Sequence, residues 1–169
     1  MAPRKSSPSG PSDPAPEGYP TVCSWLITAD TRRLMRFLTD VFGAEELALL
    51  ATPEGVVAHA EMRVGDTVVL LFDTPDGWPA TPSHQRIYVD DADDVVERAI
   101  RAGGELVTSV SELFWGDRVG RIRDPLDNIW WIQQRGPMFD DDELARRATD
   151  PAFEEAMRLM GTSLIEART

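Results

Sequence analysis

The 169-residue chain is poor in cysteine, in lysine and in uninterrupted apolar sequence. Its one cysteine, Cys23, excludes an intrachain disulfide and a cysteine-rich zinc site. Lys5 is the only lysine, and 17 basic side chains stand against 29 acidic ones, for a net charge of −12. That excess of negative charge repels phosphate backbones and anionic headgroups, which argues against nucleic-acid and membrane partners. No apolar run nears the roughly 20 residues that span a bilayer. The N-terminus lacks the apolar stretch of a secretory signal. Dinucleotide-binding, P-loop, nucleophile-elbow and H-E-x-x-H motifs are all missing. What remains is an acidic, cytoplasmic globular domain long enough to bury a sizeable core.

Residues 1–18 carry Pro3, Pro8, Pro11, Pro14 and Pro16 among serines and show no apolar periodicity, which predicts a disordered tail. The folded domain is expected over 19–135. Val22–Thr28 suits a strand. Asp30 can cap a helix whose inner face is Leu34, Phe37, Leu38 and Val41, with Gly43 as its stop. Glu46–Leu50 fits a short strand, and Val56–Val64 and Thr67–Phe72 flank a Gly65-Asp66 turn. The same order then returns: strand Gln85–Val89, a helix capped by Asp91 and burying Val96, Ala99 and Ile100, then strands at Leu106-Val107, Arg118–Arg123 and Asn128–Gln133. Landmarks repeat at 61 residues (Asp30 and Asp91, Asp66 and Asp127) or at 60 (Gly43 and Gly103, Arg63 and Arg123). The fold class is therefore α+β, two βαβββ modules at about 19–78 and 83–135. An extension over 136–169 contains a helix near Leu144 and Ala148. A second helix follows Asp150-Pro151, carries Phe153, Met157 and Met160, and is expected to stop at Gly161. Its apolar residues cover either the domain itself or a partner copy.

Paired βαβββ units, together with the closing stretch Gly116–Ile132 (GDRVGRIRDPLDNIWWI), resemble the vicinal oxygen chelate superfamily. This is the glyoxalase, bleomycin-resistance and dioxygenase group, and the PhnB-like branch is the most similar. Asp127 stands where that group's turn usually has glycine. The resemblance implies two half-cups closing over a cavity, within one chain or across a homodimer. It also implies four metal-ligand positions in metal-using members, which here hold Cys23, His84, Leu70 and Trp131. Leucine and tryptophan do not ligate metals, so no metal and no cofactor is expected. A weaker alternative set is His59, Glu61 and His84, since His59 and Glu61 share a strand face.

The resemblance further implies that aromatic side chains line the cavity. Trp25, His84, Arg86, Tyr88, Phe114, Trp115 and Trp131 are the candidate ligand-binding residues, with Trp130 pointing the other way into the sheet–helix core. Rings of this kind suit flat or apolar ligands, or simply fill a core. Arg86, Arg118 and Arg121 can grip a carboxylate, although Arg121 and Arg123 are expected to pair with surface acids. Asp90, Asp91, Asp93 and Asp94 are accounted for by a helix cap. Cys23 and His84 can form a thiolate–imidazole pair, but a buried inert thiol is the expectation. Three functions stay open. One is a metal-independent protein that sequesters a hydrophobic, planar small molecule, as the antibiotic-binding resistance members do. Another is an enzyme using His84 as its catalytic group, with or without a metal, and the third is a structural homodimer with a filled cavity.

Overall fold

The computed structural model describes residues 15–79 and 81–166, so most of the expected N-terminal tail lies outside the described residues. The first module comprises β1 (Ser24–Thr28), α1 (Thr31–Phe42), β2 (Glu45–Ala51), β3 (Val57–Val64) and β4 (Thr67–Asp73). The second comprises β5 (His84–Tyr88), α2 (Ala92–Arg101), β6 (Glu105–Glu112), β7 (Arg118–Arg123) and β8 (Ile129–Gln134). Two helices follow, α3 (Asp141–Ala148) and α4 (Pro151–Glu166). The fold is α+β, with two four-stranded mixed sheets of the same order, β1-β4-β3-β2 and β5-β8-β7-β6. In each sheet the first strand runs parallel to the last and the other pairs are antiparallel.

The duplication extends to single hydrogen bonds. Trp25 pairs across the sheet with Leu70, and Arg86 with Trp131, so a shift of 61 converts one pair into the other. Asp73 Oδ1 accepts from the Thr31 N–H at the start of α1, and Gln134 Oε1 accepts from the Ala92 N–H at the start of α2. These residues also differ by 61, so each last strand satisfies an orphan donor at its own helix N-terminus. Asp30 and Asp91 cap the two helices as expected, and Gly43 ends α1 in the left-handed conformation.

The main core is a helix layer between the two sheets. Leu34, Phe37, Leu38 and Val41 of α1 meet Val95, Val96 and Ala99 of α2, while Leu26, Met62 and Leu71 close one side and Ile122, Trp130 and Ile132 the other. Ile100 departs from expectation: it is exposed, and Val95 takes the inward place. Trp130 packs on Phe42, with ring centroids 4.8 Å apart, and gives its indole N–H to Asp124 Oδ2 at 2.9 Å. Asp124 Oδ1 accepts from the Leu126 and Asn128 N–H groups and Oδ2 from the Asn128 amide, so one buried carboxylate organises the β7–β8 turn. Within that turn Asp127 adopts φ 72°, the positive φ that glycine would otherwise supply.

The extension turns back onto the second module. Gly136 lies so close to Gly116 that a Cβ there would sit 1.8 Å from the Gly116 carbonyl oxygen. Arg147 of α3 donates to the Phe114 carbonyl at 2.7 Å and pairs with Glu112. Arg147 also lies over the rings of Phe139 and Phe153. Helix α4 runs through Gly161 to Glu166 and does not stop at Gly161, because residues 160 and 163 are seated on the sheet and carry the helix across the glycine. No described helix is long and apolar enough to cross a membrane.

Trp130→Ala should lower unfolding free energy by about 3–5 kcal/mol, the range for removing a buried aromatic. Trp130→Phe, which keeps a ring but leaves Asp124 short of one donor, should cost about 1–3 kcal/mol. Urea denaturation followed by circular dichroism measures both.

Candidate functional site

Strand alternation gives each sheet a helix-facing side and an opposite side. The opposite sides hold the chemistry. On the first sheet that side presents Trp25 and Ile27 of β1, His59, Glu61 and Arg63 of β3, and Leu70 and Phe72 of β4. Trp25 is 46% exposed and meets His59 and Phe72 edge-on, at centroid distances of 5.7 and 5.2 Å. Phe72 in turn meets Trp78 at 5.9 Å. His59 Nε2 donates to Glu61 Oε1 at 2.9 Å, and the Tyr19 hydroxyl donates to Oε2 of the same carboxylate. Arg63 holds the Gly18 carbonyl at 3.2 Å, which lays the segment before β1 over this face. The Tyr19 hydroxyl and then the His59 imidazole hold the Glu61 carboxyl below the usual glutamate value.

The second sheet's opposite side carries His84, Arg86 and Tyr88 of β5, Val119 and Arg121 of β7, and Trp131 and Gln133 of β8. His84, Arg86 and Tyr88 stand exposed along a free edge. Trp131 is half-buried and gives its indole N–H to His84 Nδ1 at 3.4 Å. The Arg121 guanidinium lies 4.3 Å from the Trp131 ring centroid. Over these residues sits α4. Ala156 and Met160 pack on Leu113, Trp115, Val119 and Trp131, and the Thr108 and Ser163 hydroxyls touch at 2.5 Å. Phe114 and Trp115 meet edge-on at 4.9 Å in the turn before β7, Trp115 against the same helix and Phe114 held through its carbonyl by Arg147 of α3.

The candidate residues therefore divide three ways: Trp25 on the first face, His84, Arg86 and Tyr88 on an open edge, and Phe114, Trp115 and Trp131 beside or beneath α4. Arg86 and Tyr88 also border a groove of about 720 Å³ between the modules, whose wall includes Phe42, Val64, Asp94 and Trp130. Several expectations fail. Arg121 does not pair with a surface acid but is fully buried, because α4 covers it. Arg118 turns to the helix side and pairs with Asp93, so it cannot grip a ligand with Arg121. The aspartates at the start of α2 behave as expected, with Asp91 capping the helix and Asp94 paired with Arg98. The Cys23 thiol is half-buried and directed at the Pro20 carbonyl, 3.7 Å away, while His84 is engaged by Trp131. His59 and Glu61 come together as their spacing implies, but His84 belongs to the other sheet. Among the described residues no three His, Cys, Asp or Glu side chains assemble in a metal-holding group.

The four positions at which the resemblance places metal ligands, Cys23, His84, Leu70 and Trp131, do not fit a metal ion here. Leu70 has no donor atom, the Trp131 indole nitrogen is a hydrogen-bond donor only, and that donor occupies one nitrogen of His84. Sequence reasoning missed Tyr19 as a Glu61 partner and missed the coverage of Trp131 by α4. One signal for the site was present: Glu61 lies opposite Leu70, Arg121 lies opposite Trp131, and the 60-residue offset makes Glu61 and Arg121 equivalent positions of opposite charge.

Because the folded-state pKa of Glu61 is depressed, its contribution to stability is complete above the ordinary value of 4.5 and is lost as pH falls through the folded value. The stability gap between native protein and Glu61→Gln should be constant above that value and should shrink on acidification below it. Thermal melts at a series of pH values test this.

The sequence model of the Glyoxalase/Bleomycin resistance protein/Dioxygenase superfamily matches residues 20–132. The uncharacterized protein Mb0911c of Mycobacterium bovis is 29% identical over 136 residues, covering 74% of this chain and 90% of that protein. Among solved structures, TioX from Micromonospora sp. ML1 superposes with TM-score 0.55 at 23% identity, covering 72% of this chain and all of that one. The PhnB protein from Bacillus cereus gives 0.56 at 15% identity, covering 69% of this chain and all of that one. With most of both modules inside the matched range, the chain belongs to the Glyoxalase/Bleomycin resistance protein/Dioxygenase superfamily.

Proposed function

We propose that this protein binds a hydrophobic, partly planar small molecule without a metal, on the face of its first sheet that is turned away from the helix layer. The observation that carries the reading is the connected set of rings on the first face. Trp25 touches both His59 and Phe72, Phe72 touches Trp78, and Trp25 and Trp78 are 46% and 56% exposed. Exposed, mutually supported aromatics on a sheet face offer stacking and apolar area to a flat ligand. The replacement of metal-ligand positions by Leu70 and Trp131 supports a binding role over a metal-dependent reaction. The sequestering members of the superfamily are the nearest functional analogy, with a cytoplasmic homodimer as the working form. The homodimer reading is supported by Tyr88, 57% exposed on strand β5, and Val22, 81% exposed just before β1; each of these strands is one edge of its sheet.

Two observations favour other readings. Glu61 orients His59 as a carboxylate orients a general base, which suits a metal-free enzyme working on the same face. His84, with Nδ1 accepting from Trp131, presents Nε2–H as a second acid–base group. The filling of the second face by α4 is what a structural homodimer with occupied cavities would show on that side.

A ligand screen by intrinsic tryptophan fluorescence separates binding from a structural role. For a neutral planar ligand found in that screen, Trp25→Ala should weaken binding by roughly 0.5–3 kcal/mol through lost burial and stacking. Stability should change little, since Trp25 is half-exposed. Purified protein should hold well under one equivalent of transition metal by elemental analysis. A stoichiometric metal removed by His84→Ala, or a Trp25→Ala variant that binds as the native protein does, would contradict the proposal.

A further inference from the structure

Arg121 is the largest fully buried side chain in the molecule, at 0% exposure, and has no acidic partner among the described residues. Among the described residues its Nε and Nη1 have no hydrogen-bond partner. Only Nη2 is engaged: it donates to the Met160 carbonyl oxygen and the Ser163 hydroxyl, at 3.3 Å for the latter, and lies 3.5 Å from the Met160 sulfur. Every one of those contacts comes from α4. Burial pushes the Arg121 guanidinium down from its ordinary value. A cation buried against neutral oxygens and one aromatic face is incompletely compensated, and adding an anionic partner is the change that relieves it. The stereochemistry is specific. A guanidinium grips a carboxylate either side-on, through Nε and Nη2, or end-on, through Nη1 and Nη2. Both forks include Nη2, so the Met160 carbonyl and Ser163 hydroxyl stand where carboxylate oxygens would bind.

We propose that Arg121 is an oxyanion-recognition residue for a ligand with a flat apolar body and a carboxylate, and that α4 is a displaceable cover presenting neutral oxygens to it when the ligand is absent. The surface that α4 would vacate suits such a body, being formed by Leu113, Trp115, Val119 and Trp131. The cover also has a weak point within it. Its main contacts are with β6, it has Gly161 directly after the Met160 carbonyl, and Met157 on its outer side is 40% exposed. Glycine inside a helix weakens it. A carboxylate makes a stronger, charge-assisted bond to the same donor than a carbonyl does, which gives the ligand the differential affinity that opening requires. The inference rests on the small-molecule-binding reading and adds to it an anion-selective site on the second sheet, separate from the Trp25 face.

The test uses the full chain with 1-naphthoate and its neutral analogue 1-naphthamide. Hydrogen exchange of the α4 amides should accelerate about tenfold or more at saturating naphthoate, the shift that a differential affinity of that size produces, and should not respond to naphthamide. Ser163→Asp supplies Arg121 with an internal carboxylate, and Ser163→Asn is its neutral control. The Asp variant should melt above the Asn variant, exchange its α4 amides more slowly, and lose the response to naphthoate. Arg121→Gln should lose it as well. Equal binding of both compounds, indifferent to Arg121→Gln, overturns the anion site but leaves the binding function standing. Absence of any naphthoate effect together with no gain in melting temperature for Ser163→Asp over Ser163→Asn overturns the anion site outright. If a wider fluorescence screen also finds no ligand, the binding function falls with it.

Discussion

Arg121 carries a full charge into a site without solvent, and the arrangement of the second half of the chain follows from how that charge is accommodated. The strand that holds it alternates between two environments. Ile122 points into the helix layer with Trp130 and Ile132, and Arg121 points the other way, onto Trp131. Left open, that side would hydrate the guanidinium and expose Leu113, Val119 and two tryptophans. Helix α4 covers it with Ala156 and Met160 and offers the cation oxygens from Met160 and Ser163. The helix reaches this position because the chain is turned at Gly136, where only a glycine can approach Gly116, and because Asp117 receives the Gly136 N–H at 3.0 Å. Burial of the apolar patch is favourable and burial of an unpaired charge is not. The contact is therefore a compromise in which neutral oxygens stand in for an anionic partner.

The duplicated architecture makes the two faces comparable. Glu61 and Arg121 occupy the same structural position, each opposite the last-strand residue at Leu70 or Trp131. Each is covered by chain from outside its own βαβββ unit, Glu61 by the segment of Tyr19 and Arg121 by α4. The first cover is a single hydroxyl on a partly exposed carboxylate, so Trp25 and His59 stay accessible. The second is a whole helix. The two equivalent faces thus differ, one open, aromatic and acidic, the other closed, apolar and cationic. The helix layer between them has kept its pattern down to the Asp73 and Gln134 contacts.

The helix layer was legible in the sequence because it obeys period and punctuation. Leu34, Phe37, Leu38 and Val41 recur at helical spacing, Asp30 and Asp91 precede the helices, and Gly43 follows the first. The repeat offset is visible without coordinates, and strand alternation places Trp130 and Trp131 on opposite sides. Ile100 failed because one turn of a short amphipathic helix admits two apolar stripes, and only tertiary contact selects Val95. Gly161 failed because propensity yields to packing when the flanking residues 160 and 163 are seated. The candidate site was harder to see. Nothing local marks Tyr19 as the partner of Glu61, 42 residues away, or Met160 as the partner of Arg121, 39 residues away. An arginine in an acidic chain has a surface ion pair as its natural expectation. Its burial depends on a helix that begins 30 residues later.

The placement of α4 over the second sheet is the claim on which this account stands, and a designed crosslink measures it directly. Thr108 and Ser163 touch through their hydroxyls at 2.5 Å, which suits the Cβ separation of roughly 3.5–4.5 Å that a disulfide requires. In a Cys23→Ser background, the Thr108→Cys, Ser163→Cys double variant should oxidise in air to an intramolecular disulfide, detected by thiol titration and peptide mapping. Near-complete closure under native conditions, abolished by denaturant, is the result predicted. Free thiols that persist in the folded protein, or crosslinks that form only between chains, would place α4 elsewhere and contradict the account.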